Sequence, residues 1–187
     1  MKRPVMRPGL TTCCVLFVSA VLCAAETALE SPWKQVPSCT VRDLNGRTVS
    51  TKQFTADGPT VVVFWSSCCP TNVNAIRAFM KIHATFADRS LPVLAINENG
   101  GQETAKVRQF VKTEKLPFTV VIDKDRELMA SFNAAAPPTF LFVKKGGVIA
   151  DTHAGYFAGD EKKFEQHIAR LLDETTGETQ PREKDAQ

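Results

Sequence analysis

The stretch VVVFWSSCCPTN, residues 61–72, joins two different structural patterns. Its first half is apolar and β-branched, which is typical of a strand buried on both faces of a sheet. From Pro70 onward the period changes, and side chains on one apolar stripe recur three and four residues apart, at Val73, Ile76, Met80, His83 and Phe86. That spacing predicts one face of a helix, and Pro70 suits the first turn because an N–H has no partner there. Two adjacent cysteines stand at the junction.

The second of these cysteines, Cys69, directly precedes the predicted helix. The unpaired N–H groups of a first helical turn and the positive end of the helix dipole favour a thiolate over a thiol. Because the thiolate is the reactive form, we predict that Cys69 is a catalytic nucleophile, with Cys68 beside it as a second catalytic candidate. The alternative is that Cys69 is a small buried residue without a chemical role.

The rest of the chain alternates between strand and helix patterns. Asn45-Gly46 predicts a β-hairpin turn near the N-terminus, and Gly146-Gly147 predicts another near the C-terminus. Further predicted strands cover residues 91–97 and the LPFTVVID stretch, with a helix from Glu103 to Lys115 between them. Asp160 is expected to cap a last helix. This order predicts an α/β fold with a central mixed sheet flanked by helices and an N-terminal β-hairpin.

The two ends of the chain have sequence patterns that differ from those of the predicted domain. Residues 1–25 contain basic residues, then an uncharged apolar run from residue 10, then small residues, which is the order of a signal peptide. The apolar run is 16 residues long, shorter than the ~18 that suggest a spanning helix. If it were retained, it would be a membrane anchor. We expect a lead-in at 26–35, the domain at 36–173 and a disordered tail at 174–187.

Charge and cysteine content narrow the function classes. Without residues 1–25 the chain has 20 basic and 20 acidic residues, so it lacks the basic footprint of a nucleic-acid partner. Three cysteines remain, Cys39, Cys68 and Cys69, and an odd number leaves one without an internal partner. The three histidines are scattered and no C-x-x-C spacing occurs, so we expect no metal site and no cofactor.

The opening stretch resembles the active-site segment of thioredoxin-like proteins, most closely the TlpA-like branch of exported thiol–disulfide oxidoreductases. Phe64-Trp65 matches the family's Phe-Trp, and Cys69-Pro70 matches its nucleophilic Cys-Pro. A distant segment, APPTFLFVK, is similar to the family's strand behind a cis-proline, with Pro138 in the proline position. The resemblance extends over about residues 36–172 and implies the thioredoxin-like fold.

The resemblance implies a function as well. Cys69 would attack disulfides, and the substrate would be contacted by Trp65, Pro70, Asn72, Pro138 and Thr139. Substrates would be protein disulfides or thiols in a bacterial periplasm or cell envelope, with a membrane electron donor as a candidate partner. The residue before the cis-proline, which pairs with an extended substrate in the family, is Pro137 here, so it offers a carbonyl but no N–H.

The chain departs from the family at the second sulfur. Asn72 stands where the resolving cysteine would be, and Cys68 stands where tryptophan is usual. Cys68 is a poor partner for Cys69, since adjacent Cα atoms lie ~3.8 Å apart and a disulfide prefers ~4.4–6.8 Å. Cys39, or a thiol from another molecule, are the other candidates. The alternative function is therefore a redox-inactive binding module.

Two further departures concern the residues around the nucleophile. Val63 occupies the position of the buried acid of thioredoxins, and the family implies a glutamate from the next loop, Glu98 or Glu103, as its substitute. A peroxidase is disfavoured, because WSSC lacks the threonine that precedes a peroxidatic cysteine.

Overall fold

The computed structural model describes residues 35–176. The predicted signal peptide at 1–25, nearly all of the lead-in and the end of the predicted tail lie outside the described residues. Within residues 35–176, no helix has the length and apolar character needed to cross a membrane.

Seven strands and five helices follow one another along this part of the chain. The strands are β1 Thr40–Arg42, β2 Thr48–Ser50, β3 Thr60–Trp65, β4 Val93–Asn97, β5 Thr119–Ile122, β6 Thr139–Val143 and β7 Ile149–Ala154. The helices are α1 Thr51–Phe54, α2 Pro70–Thr85, α3 Thr104–Glu114, α4 Glu127–Ser131 and α5 Asp160–Thr176, with a 3₁₀ turn at Gly101–Glu103 before α3.

The central sheet has five strands in the order β5-β4-β3-β6-β7, and β1 pairs with β2 as a separate hairpin. Strand β3 runs parallel to β4 and antiparallel to β6, which makes the sheet mixed as predicted. The crossovers from β3 to β4 and from β4 to β5 move in the same direction across the sheet. Right-handed crossovers of this kind place α2 and α3 on the same face.

Both faces of the sheet are covered, which explains the continuous apolar run in β3. Val61, Val63 and Trp65 point into a core shared with α2, α3 and α5. Val62 and Phe64 point to the other face, where α4 and the N-terminal hairpin pack. Every residue of β3 is buried. The predicted α/β fold with a mixed sheet covered on both faces is therefore confirmed, including the buried central strand.

Three features of the helices differ from the sequence prediction: the buried face of α2, the presence of α1 and the end of α5. The buried stripe of α2 consists of Asn72, Ala75, Ile76, Phe79 and Ile82. Met80, His83 and Phe86 lie half-buried at its border, because Phe79 turns inward to contact the rings of three other phenylalanines. The four-residue helix α1 has no predicted counterpart, since so short a segment shows no periodicity. Helix α5 reaches Thr176 and so extends past residue 173, where the disordered tail was expected to begin.

Candidate thiol site

The site lies where β3 ends and α2 begins, as the sequence predicted. Cys69 is the N-cap residue of α2, with extended backbone angles of φ −104° and ψ 123°. Pro70 occupies the first turn, and the first helical hydrogen bond runs from the N–H of Val73 to the carbonyl of Cys69 at 3.0 Å. The cysteine is half-buried. Its side chain therefore lies at the positive end of a 16-residue helix.

The first turn of α2 lowers the pKa of the Cys69 thiol below its ordinary value. The backbone N–H of Asn72 is the largest cause, followed by the Asn72 side chain and the backbone N–H of Thr71. The sulfur completes no capping hydrogen bond of normal geometry, so these groups act on it as nearby dipoles. Because donors that face a sulfur stabilise its charged form, the first turn of α2 favours the thiolate at Cys69 more than at an ordinary cysteine.

Asn72 occupies the position of the missing resolving cysteine and is only 3% exposed. Its side-chain oxygen accepts a hydrogen bond from the backbone N–H of Ser66 at 3.2 Å. Its amide nitrogen donates to the carbonyl of Pro137 at 3.5 Å. One amide thus joins the cysteine loop to the loop before β6, which the sequence places 65 residues further along the chain.

The peptide bond between Pro137 and Pro138 is cis, as predicted for Pro138. The carbonyl of Pro138 accepts the N–H of Gly155 at 2.7 Å, which ties this loop to the end of β7. Thr139 follows and pairs with Phe64 in the β3–β6 ladder. This pairing sets the proline loop beside the carboxyl end of β3.

Four of the five residues predicted to bind substrate are buried, namely Trp65, Asn72, Pro138 and Thr139. Trp65 is fully buried, with its ring centroid 5.2 Å from that of Phe110. Thr139 is 2% exposed, and its hydroxyl donates to the carbonyl of Ala136 at 2.5 Å. The side chains of Trp65 and Thr139 offer no surface to a substrate, so both support the site from below, as do the buried Asn72 and Pro138. Pro70 is the predicted contact residue that stands exposed beside Cys69.

Cys68 lies in a different environment from its neighbour. Its thiol is exposed and donates a hydrogen bond to Oε2 of Glu103 at 2.8 Å. The side-chain nitrogen of Asn99 donates to the same sulfur and, at 2.7 Å, to the same carboxylate oxygen. Lys106 pairs with the other oxygen of Glu103 at 2.9 Å. The four side chains form one connected cluster.

This cluster shifts the two acidic groups in opposite directions. Hydrogen bonding to Glu103 raises the pKa of the Cys68 thiol, with burial as the next cause, while Asn99 and Lys106 oppose the shift. The same hydrogen bond from Cys68, with those from Lys106 and Asn99, lowers the pKa of Glu103 to about 2. Both shifts place the shared proton on sulfur, so Cys68 is a thiol beside a charged carboxylate.

Of the two glutamates left open by the sequence, only Glu103 contacts a cysteine, and that cysteine is Cys68. Glu98 lies instead with its Oε2 3.4 Å from Nη2 of Arg126, an ion pair without hydrogen-bond geometry. Burial is the largest cause of the raised pKa of Glu98. The sequence could not choose between the two glutamates, because the contact with Cys68 spans 35 residues.

The other predicted resolving candidate, Cys39, is not brought to the site. It is half-buried at the start of the N-terminal hairpin, and its thiol donates to the hydroxyl of Thr51 at 3.8 Å. Its side chain packs against the core on the α4 side of the sheet, opposite the face of α2. Cys39, Cys68 and Cys69 are all free thiols. Among the described residues, no group of three or more His, Cys, Asp or Glu side chains could hold a metal ion.

A cysteine at the N-cap of the helix that follows the central strand, beside a cis-proline loop, defines a thiol protein of the thioredoxin-like fold. Comparison with known proteins supports this class. The chain belongs to the AhpC/TSA family, whose model matches residues 32–152.

Named relatives and solved structures agree with that assignment. Thioredoxin-like protein YneN of Bacillus subtilis is 31% identical over 137 residues, 72% of this chain and 77% of the relative. Thiol-disulfide oxidoreductase ResA of Halalkalibacterium halodurans is 24% identical over 70% of this chain and 73% of the relative. The crystal structure of a thiol:disulfide interchange protein of Chlorobium tepidum, 19% identical, superposes with a TM-score of 0.65 over 76% of this chain and 99% of that one.

These findings confirm the predicted resemblance to thioredoxin-like, TlpA-like proteins, and ResA among the relatives carries the name of a thiol–disulfide oxidoreductase.

Proposed function

We propose that this protein exchanges thiols and disulfides through Cys69, acting on protein substrates in an exported compartment. The observation that carries the proposal is the position of Cys69 at the start of α2, where backbone N–H groups favour its thiolate. The names of the relatives support this function over the alternative of a redox-inactive binding module.

The exchange begins when the Cys69 thiolate attacks one sulfur of a substrate disulfide. A bond forms between that sulfur and Cys69, the substrate S–S bond breaks, and the other substrate sulfur leaves as a thiolate that takes a proton from water. In the resulting mixed disulfide, Asn72 carries no sulfur with which to release the substrate. A thiol from another molecule then attacks, frees Cys69 as a thiolate and leaves with the substrate sulfur in a new disulfide.

Asn72 serves in this scheme as a positioning residue. Its amide holds the backbone N–H of Ser66 on one side and the carbonyl of Pro137 on the other. This neutral group, which does not change its redox state, fixes the Ser66 backbone of the cysteine loop and contacts the proline loop through a longer bond. Pro137 offers an extended substrate a carbonyl without an N–H, and that carbonyl already accepts a hydrogen bond.

The compartment and the partners belong to the same proposal. The order of basic, apolar and small residues at 1–25 supports export to a bacterial periplasm or cell envelope. Retention of that segment would leave the protein anchored to a membrane. Net reduction of disulfides requires a continuing supply of electrons, which a membrane electron donor would provide as thiols.

The test compares two single variants, Cys69→Ser and its matched control Cys68→Ser. Each purified protein is mixed with the chromogenic disulfide 5,5′-dithiobis(2-nitrobenzoate), and release of thionitrobenzoate is followed by stopped flow at several pH values. Wild type and Cys68→Ser are expected to show a fast phase whose pH midpoint lies below that of a free cysteine. Cys69→Ser is expected to lack that phase. A fast phase that survives in Cys69→Ser would overturn the proposal.

A further inference from the structure

Two cysteines that are adjacent in the chain face opposite electrostatic surroundings. The sulfur of Cys69 faces backbone N–H groups of α2, whereas the sulfur of Cys68 donates to a carboxylate at 2.8 Å. Cys68 is also the more exposed of the two. Exposure alone would make Cys68 the first to meet a disulfide, so some feature of the site must direct the exchange to Cys69.

The carboxylate of Glu103 is held in place against Cys68. Asn99 donates to its Oε2 at 2.7 Å and Lys106 pairs with its Oε1 at 2.9 Å. Asn99 is itself anchored, because its side-chain oxygen accepts the backbone N–H of Ser67 at 2.8 Å. With both oxygens engaged, the carboxylate is held beside the sulfur.

We propose that Glu103 is a selectivity residue that keeps Cys68 as a thiol, so that disulfide exchange passes through Cys69 alone. This inference rests on the proposed role of Cys69. Loss of the Cys68 proton would set a thiolate against a carboxylate at hydrogen-bond distance, and like charges so close disfavour ionisation. The Cys68 proton is not consumed in the exchange at Cys69, since the leaving thiolate of the substrate takes its proton from water.

The groups that face Cys68 come from three places in the chain. Glu103 and Lys106 come from the start of α3, the neutral amide of Asn99 comes from the loop after β4, and Cys69 follows in the chain. Lys106 favours the thiolate, but its ammonium group pairs directly with Glu103. The group in direct contact with the thiol proton is therefore the carboxylate, and it determines the balance.

The consequence for the reaction is that the mixed disulfide on Cys69 is not attacked by its neighbour. A vicinal disulfide would require the Cys68 thiolate, which this environment suppresses. The mixed disulfide persists until an external thiol arrives, which is the behaviour of a single-cysteine exchange protein.

The inference is tested in a Cys69→Ser background, so that its outcome does not depend on the reactivity of Cys69. Glu103→Gln is compared with Glu98→Gln, a matched control from the preceding loop whose side chain pairs with Arg126 instead. Alkylation of Cys68 by iodoacetamide is measured from pH 6 to 10 by peptide mass spectrometry. In Glu103→Gln the pH midpoint is expected to fall, and the rate below the midpoint to rise about threefold for each unit of that fall, because the gain in thiolate is partly offset by its lower nucleophilicity. The control is expected to match the background protein.

A second variant is expected to shift the pH midpoint of Cys68 alkylation in the opposite direction. Lys106→Met removes the cation and leaves the carboxylate charge uncompensated, so the midpoint for Cys68 is expected to rise. Unchanged midpoints in both variants, or a fall in Lys106→Met, would overturn the inference. A shift at Cys68 combined with an unreactive Cys69 in the otherwise unmodified chain would refute the proposed function while leaving the effect of Glu103 established.

Discussion

Replacement of Asn72 by alanine tests whether one amide stabilises the site and adjusts its nucleophile. The substitution leaves the buried N–H of Ser66 without its acceptor, which costs about 1–3 kcal/mol. The bond to Pro137 is long at 3.5 Å and Pro137 is only half-buried, so water can replace the bond and its loss adds little. We therefore expect a loss of about 2 kcal/mol in the free energy of unfolding, or about 4–8 °C in Tm.

The same substitution changes Cys69 only in part. The backbone N–H of residue 72 remains and is the largest cause of the lowered pKa of Cys69, while the side-chain contribution disappears. The pKa of Cys69 is expected to rise without reaching its ordinary value, so iodoacetamide labelling below the midpoint becomes slower.

Urea unfolding and pH-dependent alkylation are the two assays, with Asn74→Ala, an exposed position on the same helix, as the control. The control should stay within about 0.5 kcal/mol of wild type, since surface substitutions usually do. If Asn72→Ala unfolds at the same urea concentration as wild type and labels with the same pH midpoint, the positioning role of Asn72 is wrong.

Two other outcomes are expected. Asn72→Cys places a sulfur three residues after Cys69 on α2, where Cα atoms are separated by about 5 Å, within the ~4.4–6.8 Å of a disulfide. After oxidation with glutathione disulfide, peptide mass spectrometry should find a bond between residues 69 and 72; two free thiols would contradict this. At the start of α5, Lys163 and the backbone N–H of Phe157 are the leading causes that lower the pKa of Asp160 from 3.8 to about 2. The stabilisation from this shift is present above pH 3.8 and is lost as the pH falls towards 2, so Asp160→Asn should flatten the pH dependence of urea unfolding in that window; a curve parallel to that of wild type would disprove it.

Much of the fold followed from local patterns. The apolar run of β3 is fully buried because its residues alternate between two covered faces, and the Asn45-Gly46 hairpin forms because Gly46 adopts a φ of +80° that few other residues tolerate. The rotation of α2 was less predictable. Spacings of three and four residues fit both the predicted stripe through Met80 and the neighbouring stripe through Phe79. Packing of Phe79 against distant phenylalanines selects the second stripe as the buried face.

The site was predictable where it depends on neighbours in the chain and unpredictable where it depends on distant loops. Cys69-Pro70 at a helix start followed from local sequence, whereas the cis bond at Pro138 was implied by the resemblance to thioredoxin-like proteins. The burial of Asn72 was missed because a polar residue was not counted on the apolar stripe it shares. The contact of Glu103 with Cys68 depends on the path of the loop after β4, which no local spacing encodes.

The N-terminal hairpin has a consequence for how the folded chain behaves in a crowded compartment. Strand β5 is the outermost strand on its side of the central sheet, and its free backbone groups could recruit a strand from another molecule. The chain just after β1 lies against it, with Asp43 bridged to Val121 and the N–H of Leu44 donating to the carbonyl of Val120 at 2.9 Å. The hairpin thus shields this edge from intermolecular strand pairing, and a form of the protein shortened beyond it would be prone to aggregate.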